Sequence, residues 1–169
     1  MFNRRAKINA HKVIKKLNLK SNEKIADVGS GGGYFSFEFA KKAKNGKVYA
    51  LDLNKKLLDY VKKQAEKQKL DNIQTIYIKN KIFLPEKVDL IFLRNVYHHL
   101  KNRIRYFKKL KKNLKNSGSL IIIDWKKSLG TMGHGTDKEI ILNELKKAGY
   151  KLFKDFNILH KQNFLIFKK

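Results

Sequence analysis

Residues 25–40 read IADVGSGGGYFSFEFA, and four glycines fall between positions 29 and 33 with only Ser30 interrupting them. The apolar run before them reads as a short buried strand and the residues after them as a helix. The glycines therefore occupy a strand-to-helix turn. Glycine tolerates positive φ and carries no Cβ, so such a turn brings backbone amides close to a ligand. A ligand seated there also meets the helix N-terminus. A second strand, in NGKVYALDL (45–53), ends near Asp52, 25 positions after Asp27. An acid at that strand end is placed to accept both hydroxyls of a ribose.

The spacing discriminates between nucleotide-like ligands. A dinucleotide turn wants glycine at the sixth position of G-x-G-x-x-G, where it permits close helix–strand packing. Counting from Gly29 puts Tyr34 there, and counting from Gly31 puts Ser36. The pattern is instead acid-x-G-x-G-x-G. Asp27 makes sense in it beside a cationic head group, such as the ammonium of a methionine moiety.

Outward from the turn, strand and helix alternate. Ile8, Val13, Ile14 and Leu17 predict a helix over 9–18, and a second helix follows over 34–44. Asn54 caps a third over 55–69, with Leu57, Leu58, Val61 and Ala65 inward. IQTIYI (73–78) and VDLIFLR (88–94) read as the third and fourth strands. KNRIRYFKKLKKNLKN (101–116) reads as a helix with Ile104, Phe107, Leu110 and Leu114 inward, and GSLIIIDW (118–125) as the fifth strand. TDKE (136–139) has the form of a capping box, with Thr136 as N-cap and Glu139 three residues on. Its helix runs to Ala148 and ends at Gly149, a good residue just past a helix end. Two more strands close the chain as a hairpin. Apolar strands alternating with helices predict one doubly wound, Rossmann-like α/β domain over residues 1–169, a mostly parallel sheet with helices on both faces. Ligands of such sheets bind beyond the carboxyl ends of the strands.

Composition narrows the class. The 169 residues hold about one domain and, at 42% hydrophobic, are globular in type. No apolar run approaches the roughly 20 residues that span a bilayer. The start, MFNRRAKINAHKVIKK, lacks the continuous apolar stretch of a secretory signal. Without cysteine there is no disulfide, thiolate metal site or cysteine nucleophile, and a cytoplasmic protein fits best. Lys and Arg number 40 against 14 Asp and Glu, a net charge of +26. One reading is a polyanionic partner such as RNA or DNA. The other is compositional drift, since Lys, Asn, Ile, Phe and Tyr abound and Pro occurs once. Drift explains the lysines more readily than the missing acids. RIRYFKKLKKNLK (103–115) reads first as a surface helix with a basic exposed face, on which Tyr106 is the aromatic free to stack.

Four motifs in order make the chain resemble the class I S-adenosylmethionine-dependent methyltransferases. ADVGSGGGYFSFEFAKKA (26–43) is similar to the family's first motif and GKVYALDLNKKLLDYVKK (46–63) to its second. VDLIFLRNVYHHL (88–100) and LKKNLKNSGSLIIIDWKK (110–127) resemble the small-molecule branch that includes quinone-biosynthesis methyltransferases, with NSGS replacing that branch's P-G-G turn. The C-terminal YKLFKDFNILHKQNFLIFKK (150–169) is similar to the family's terminal hairpin. The resemblance implies a seven-stranded sheet with an antiparallel last strand and S-adenosylmethionine as cofactor. It places the methionine part against Asp27, Gly29 and Gly31, the ribose on Asp52 and the adenine on Leu53. Asn95 would mark the end of the fourth strand, facing the methionine amino group and the substrate. Asn80 stands where many members have an adenine-binding Asp; its amide oxygen accepts the same bond without the charge.

No catalytic side chain stands out. His98 and His99 offer a general base where the acceptor needs deprotonation. A metal reading lacks the three or four ligands such a site needs. DWKKSLGTMGHGT (124–136) reads as a loop lining the substrate site with Trp125 or Lys126 and carrying His134, or as a plain surface loop. Tyr34 and Phe35 are expected to split, one toward the cofactor mouth and the other into the core, and Asp124 to be structural. The implied reaction is methyl transfer to a nucleophile. The motifs point to a small-molecule acceptor; the charge leaves RNA, and the chemistry leaves a protein lysine. A non-catalytic nucleic-acid-binding protein on this fold is the alternative from another class. Oligomeric state is not legible.

Overall fold

The computed structural model describes residues 7–79, 82–127 and 134–169. The chain divides into two compact units, residues 1–88 and 89–169. The first contains helix α1 (Ala10–Leu17), strand β1 (Lys24–Val28), helix α2 (Tyr34–Lys42), strand β2 (Lys47–Asp52), helix α3 (Lys55–Lys67) and strand β3 (Ile73–Tyr77). β2 lies parallel to both β1 and β3, with Asp27 opposite Ala50 and Asp52 opposite Tyr77. Asn54 caps α3 as its position predicts: its side-chain oxygen accepts from the N–H groups of Lys56 (3.0 Å) and Leu57 (3.4 Å). Leu58, Val61 and Ala65 form the buried face of α3. Val61 and Ala65 pack with Phe37 of α2 and Ala50 of β2. Glu86 ties the unit's end to its strands, accepting from Tyr49 Oη (2.7 Å) and pairing with Lys24.

The second unit takes in strand β4 (Val88–Arg94) from its second residue on, a 3₁₀ turn (Tyr97–His99), helix α4 (Arg103–Leu110), strand β5 (Leu114–Trp125), helix α5 (Lys138–Lys147), strand β6 (Lys151–Asp155) and strand β7 (Gln162–Lys168). β7 is antiparallel to both β5 and β6, so the expected hairpin forms, with an irregularity between Leu152 and Lys154. Arg103 at the start of α4 grips Glu144 of α5 through Nε (2.6 Å) and a terminal nitrogen (3.0 Å). The buried Tyr97 hydroxyl donates to the same carboxylate at 2.5 Å.

One sheet holds the seven strands in the order β3-β2-β1-β4-β5-β7-β6. Four consecutive residues are buried in β1 and in β4, and five in β5. Successive strand residues point to opposite faces, so both faces of these strands are covered. This is the Rossmann-like, mostly parallel sheet with an antiparallel last strand.

Three local expectations are corrected. The helix read over 101–116 ends at Leu110 and tightens into a 3₁₀ turn at Lys111–Asn113. Leu114, read as a helix position, is fully buried as the first residue of β5. The next residue, Lys115, is held by the Asp89 carboxylate at 2.8 and 2.9 Å, which fixes the chain in extended form. Nor is Thr136 the N-cap of α5. Asp137 takes that position, because Thr136 is buried and its hydroxyl is directed at Asp124 instead. Tyr106, expected free to stack, is half-buried with its ring edge against Phe107.

Candidate functional site

In the first unit the glycine turn is cross-braced to the end of β2. Gly29, Gly31 and Gly33 have φ of 76°, 55° and 78°. The N–H groups of Gly29 and Ser30 both donate to the Leu51 carbonyl, at 2.7 and 3.0 Å. Asp52 accepts from the Gly31 N–H at 2.8 Å and, through its other oxygen, from the Asn54 N–H at 2.9 Å. The glycines divide the labour. A Cβ on Gly33 would stand 2.7 Å from Val61 Cγ2 and 3.0 Å from Phe37 Cζ, so this residue provides the close packing sought at Tyr34 and Ser36. A Cβ on Gly31 would meet nothing within 4 Å. Its open face is room for a ligand beside a carboxylate, and the buried Ser30 hydroxyl has no partner among the described residues. These features fit a ribose-bearing cofactor.

Asp27 is 3% exposed, and Ser36 Oγ donates to it at 2.6 Å. Burial pushes its carboxyl up to about 7, against the pull of the Ser36 hydrogen bond and with a further push from the Asp52 charge. Ser36 had no assigned role in the sequence because its partner lies nine residues back, on another element. Leu53 is 69% exposed, a large apolar side chain next to a ribose-type acid, and Tyr77 beyond the paired strand is 44% exposed. Tyr77 was missed; its register opposite Asp52 supplies the signal. Phe35 is buried in the core, while Tyr34 lines a cavity of about 470 Å³ with His11, Ile14 and Glu38 of the first two helices. Asn80 lies outside the described residues.

In the second unit the chain turns at Asn95 in left-handed backbone (φ 57°), and the Asn95 N–H donates to the Ile123 carbonyl at 2.8 Å. Its side-chain oxygen accepts from Gln162 Nε2 at 2.5 Å, a partner the sequence did not suggest. His98 Nδ1 lies 2.8 Å from Asp124 Oδ1, with side chains 8% and 0% exposed. Thr136 Oγ1 donates to the other Asp124 oxygen at 3.4 Å, and Asn163 Nδ2 donates to the Thr136 carbonyl at 3.2 Å. Burial pushes the Asp124 carboxyl up, while the hydrogen bond and charge of His98 pull it back. Asp124 is therefore half of a dyad as well as a strand-end residue. Only the fold joins it to a histidine 26 positions earlier.

The His99 ring lies 3.9 Å from that of His98, and the His134 ring lies 5.8 and 6.3 Å from the two. Burial, with the charge of His98 next, lowers the His99 imidazole. No group of three or more side chains able to hold a metal occurs among the described residues. Trp125 and Lys126 are half-buried and held by backbone bonds: the Trp125 carbonyl accepts from Thr136 N and Lys126 N donates to the Lys161 carbonyl, both at 3.0 Å. Residues 128–133 of that loop lie outside the described residues.

The methyltransferase domain family matches residues 19–157. (S)-tetrahydroprotoberberine N-methyltransferase of Eschscholzia californica is 30% identical over 117 residues, 68% of this chain and 33% of that protein. Phosphoethanolamine N-methyltransferase 1 of Zea mays is 29% identical over 140 residues, 82% of this chain and 27% of that protein. The chain thus spans about a third or less of these curated relatives. A SAM-dependent methyltransferase from Aquifex aeolicus matches with a TM-score of 0.84 at 28% identity, covering 93% of this chain and 87% of that one. The chain belongs to the methyltransferase domain family, whose cofactor is S-adenosylmethionine.

Proposed function

We propose that the protein, as a single catalytic domain, transfers a methyl group from S-adenosylmethionine to a nitrogen of a small organic acceptor. The observation that carries this reading is the brace between Asp52 and the Gly31 N–H, set beside the open face of Gly31. Asp52 would accept from the ribose hydroxyls, Leu53 and Tyr77 would lie against the adenine, and Asp27 with the turn at Gly29 and Gly31 would take the methionine part. When bound, the cofactor supplies a methyl group already activated by its sulfonium. The chain's own work is to hold the acceptor in line and keep water out, which gains rate through proximity. Both curated relatives are N-methyltransferases by name, which supports nitrogen as the acceptor atom. A cytoplasmic setting agrees with the cysteine-free sequence; no described helix is long and apolar enough to cross a membrane.

Calorimetric titration with S-adenosylmethionine and S-adenosylhomocysteine, with NAD as control, tests the reading. We expect micromolar binding of both, none of NAD, and at least about tenfold weaker binding in Asp52→Ala, the scale of one lost charge-assisted hydrogen bond or more. A folded protein that binds neither compound overturns it.

A further inference from the structure

Strand β6 ends the sheet: it pairs with β7 on one side and, among the described residues, with no strand on the other. All five of its residues are exposed, whereas six of the seven in β7 are buried. Two of the five are large and apolar, Leu152 at 47% and Phe153 at 56% exposure. Phe153 falls at the irregularity between Leu152 and Lys154, with no residue opposite it in the β7 register. An extra residue of this kind re-aims its side chain. Here it leaves an aromatic ring in solvent.

Cations converge on that ring. Lys154 Nζ lies 5.5 Å and Lys168 Nζ 5.4 Å from its centroid, within cation–π reach. Lys154 also stands 5.9 Å from the Phe156 ring, and Lys168 Nζ donates to the Ser117 carbonyl at 3.1 Å. Lys151 lies opposite Lys168 in the register. Asp155, the acid of the strand, is taken by Lys138 at 2.9 Å. Among the described residues no carboxylate pairs with Lys151, Lys154 or Lys168. Lysines and a bulge commonly guard an edge strand against pairing. That guard does not call for an exposed phenylalanine among the lysines, which works against it.

We propose that β6 is a docking strip for single-stranded RNA, with a base stacked on Phe153 and phosphates on Lys151, Lys154 and Lys168. An aromatic face with a basic track beside it holds single strands without reading their sequence. RNA loops and ends leave bases unstacked and able to lie on such a face. A base arriving on the ring brings its phosphates to the ammoniums, which swing onto them on flexible stems. Other occupants fit less well. A second copy would set the same lysines face to face, and like charges across an interface are costly. An anionic bilayer meets the same charge, but two apolar side chains on a strand bury far less than the apolar face of an interfacial helix. The strip lies wholly within the second unit and uses none of the residues assigned to the cofactor.

The test is fluorescence anisotropy of a labelled, unstructured RNA of about 12 nucleotides, a length within the reach of one such surface, titrated with the full chain. Phe153→Ala should weaken binding about fivefold or more, the scale of one lost stacking contact, and Phe153→Trp should retain it. The loss should vanish for a duplex of the same length, which offers no free base. Changing Lys151, Lys154 and Lys168 together to Gln should lower the slope of log Kd against log salt by about 2, the counterion release of three phosphates. The same change at Lys62, Lys63 and Lys67, on the exposed face of α3, is the control and should move the slope much less. Photo-cross-linking of the wild-type chain with a thiouridine-bearing RNA should mark the β6 peptide. Equal effects of the two lysine triples, an unchanged Kd in Phe153→Ala, or cross-links confined elsewhere overturn the proposal. So does a wild-type chain that binds no RNA, whether it captures anionic vesicles or associates with itself. Melting temperatures should stay near wild type, because none of the altered side chains is buried. The cross-link needs no variant at all.

Discussion

Asp27 sits where its own charge is disfavoured. Its carboxyl is raised from 3.8 to about 7, chiefly by burial. Between those values the folded chain keeps a proton that the unfolded chain has released. Stability therefore falls as pH rises from about 4 to 7 and levels off above, by on the order of 4 kcal/mol in all. Asp27→Asn removes this dependence while keeping the shape and a partner for Ser36. Thermal melts from pH 4 to 8 should show a shallower decline in the variant than in wild type, and a higher melting temperature in the variant at pH 8. On the function proposed above, the same variant should bind S-adenosylmethionine more weakly, because the carboxylate proposed to face its ammonium is gone. A buried acid kept for such a ligand would fit the general conflict between stability and function. Equal pH slopes in variant and wild type would refute the assignment of the shift to Asp27.

Among elements, the packing of α2 against α3 depends on Gly33, and the opening at the turn depends on Gly31. Alanine at either position must adopt positive φ, at about 1–2 kcal/mol. At Gly33 it also drives a methyl into Val61 and Phe37, adding about 1–3 kcal/mol of overpacking. Urea denaturation should thus rank Gly33→Ala well below Gly31→Ala in stability. Cofactor titration should rank them the other way for any loss beyond that of stability, since only Gly31 opens to free space. Combining Gly33→Ala with Val61→Ala should cost less than the sum of the two, because the residues touch. Element ends show why local patterns differ in reliability. Asn54 caps α3 as read, and its side-chain oxygen accepts from the first-turn N–H groups of Lys56 and Leu57. Thr136 had the same local signal, but Asp124 draws its hydroxyl away.

For the molecule as a whole, the dominant property is its field. A net charge of +26 attracts any polyanion whatever the reaction at the site. Filter binding to an unstructured RNA should show association at about 50 mM salt that falls roughly 1,000-fold or more by 200 mM, the signature of counterion release. Asp52→Ala should leave that binding intact, since it removes one negative charge and touches only the residue proposed for the cofactor's ribose. RNA binding that survives about 0.5 M salt would point to contacts beyond charge and make RNA a candidate acceptor.

What the sequence determined by itself was whatever is written in short-range pattern. Apolar strands, helical stripes, the glycine turn with Asp27 before it, and Asp52 at the end of β2 all lie within windows that one element's geometry spans. The order of those windows fixed the fold class. Tertiary structure alone decided the pairings that close over long separations. It joined His98 to Asp124, Asn95 to Gln162, and Asn163 to Thr136. It also assigned different tasks to two neighbouring glycines, one facing Val61 and the other open space. The physical reason is the same in each case. Backbone propensity acts over a few residues, whereas a buried hydrogen bond needs two groups delivered to one place by separate strands.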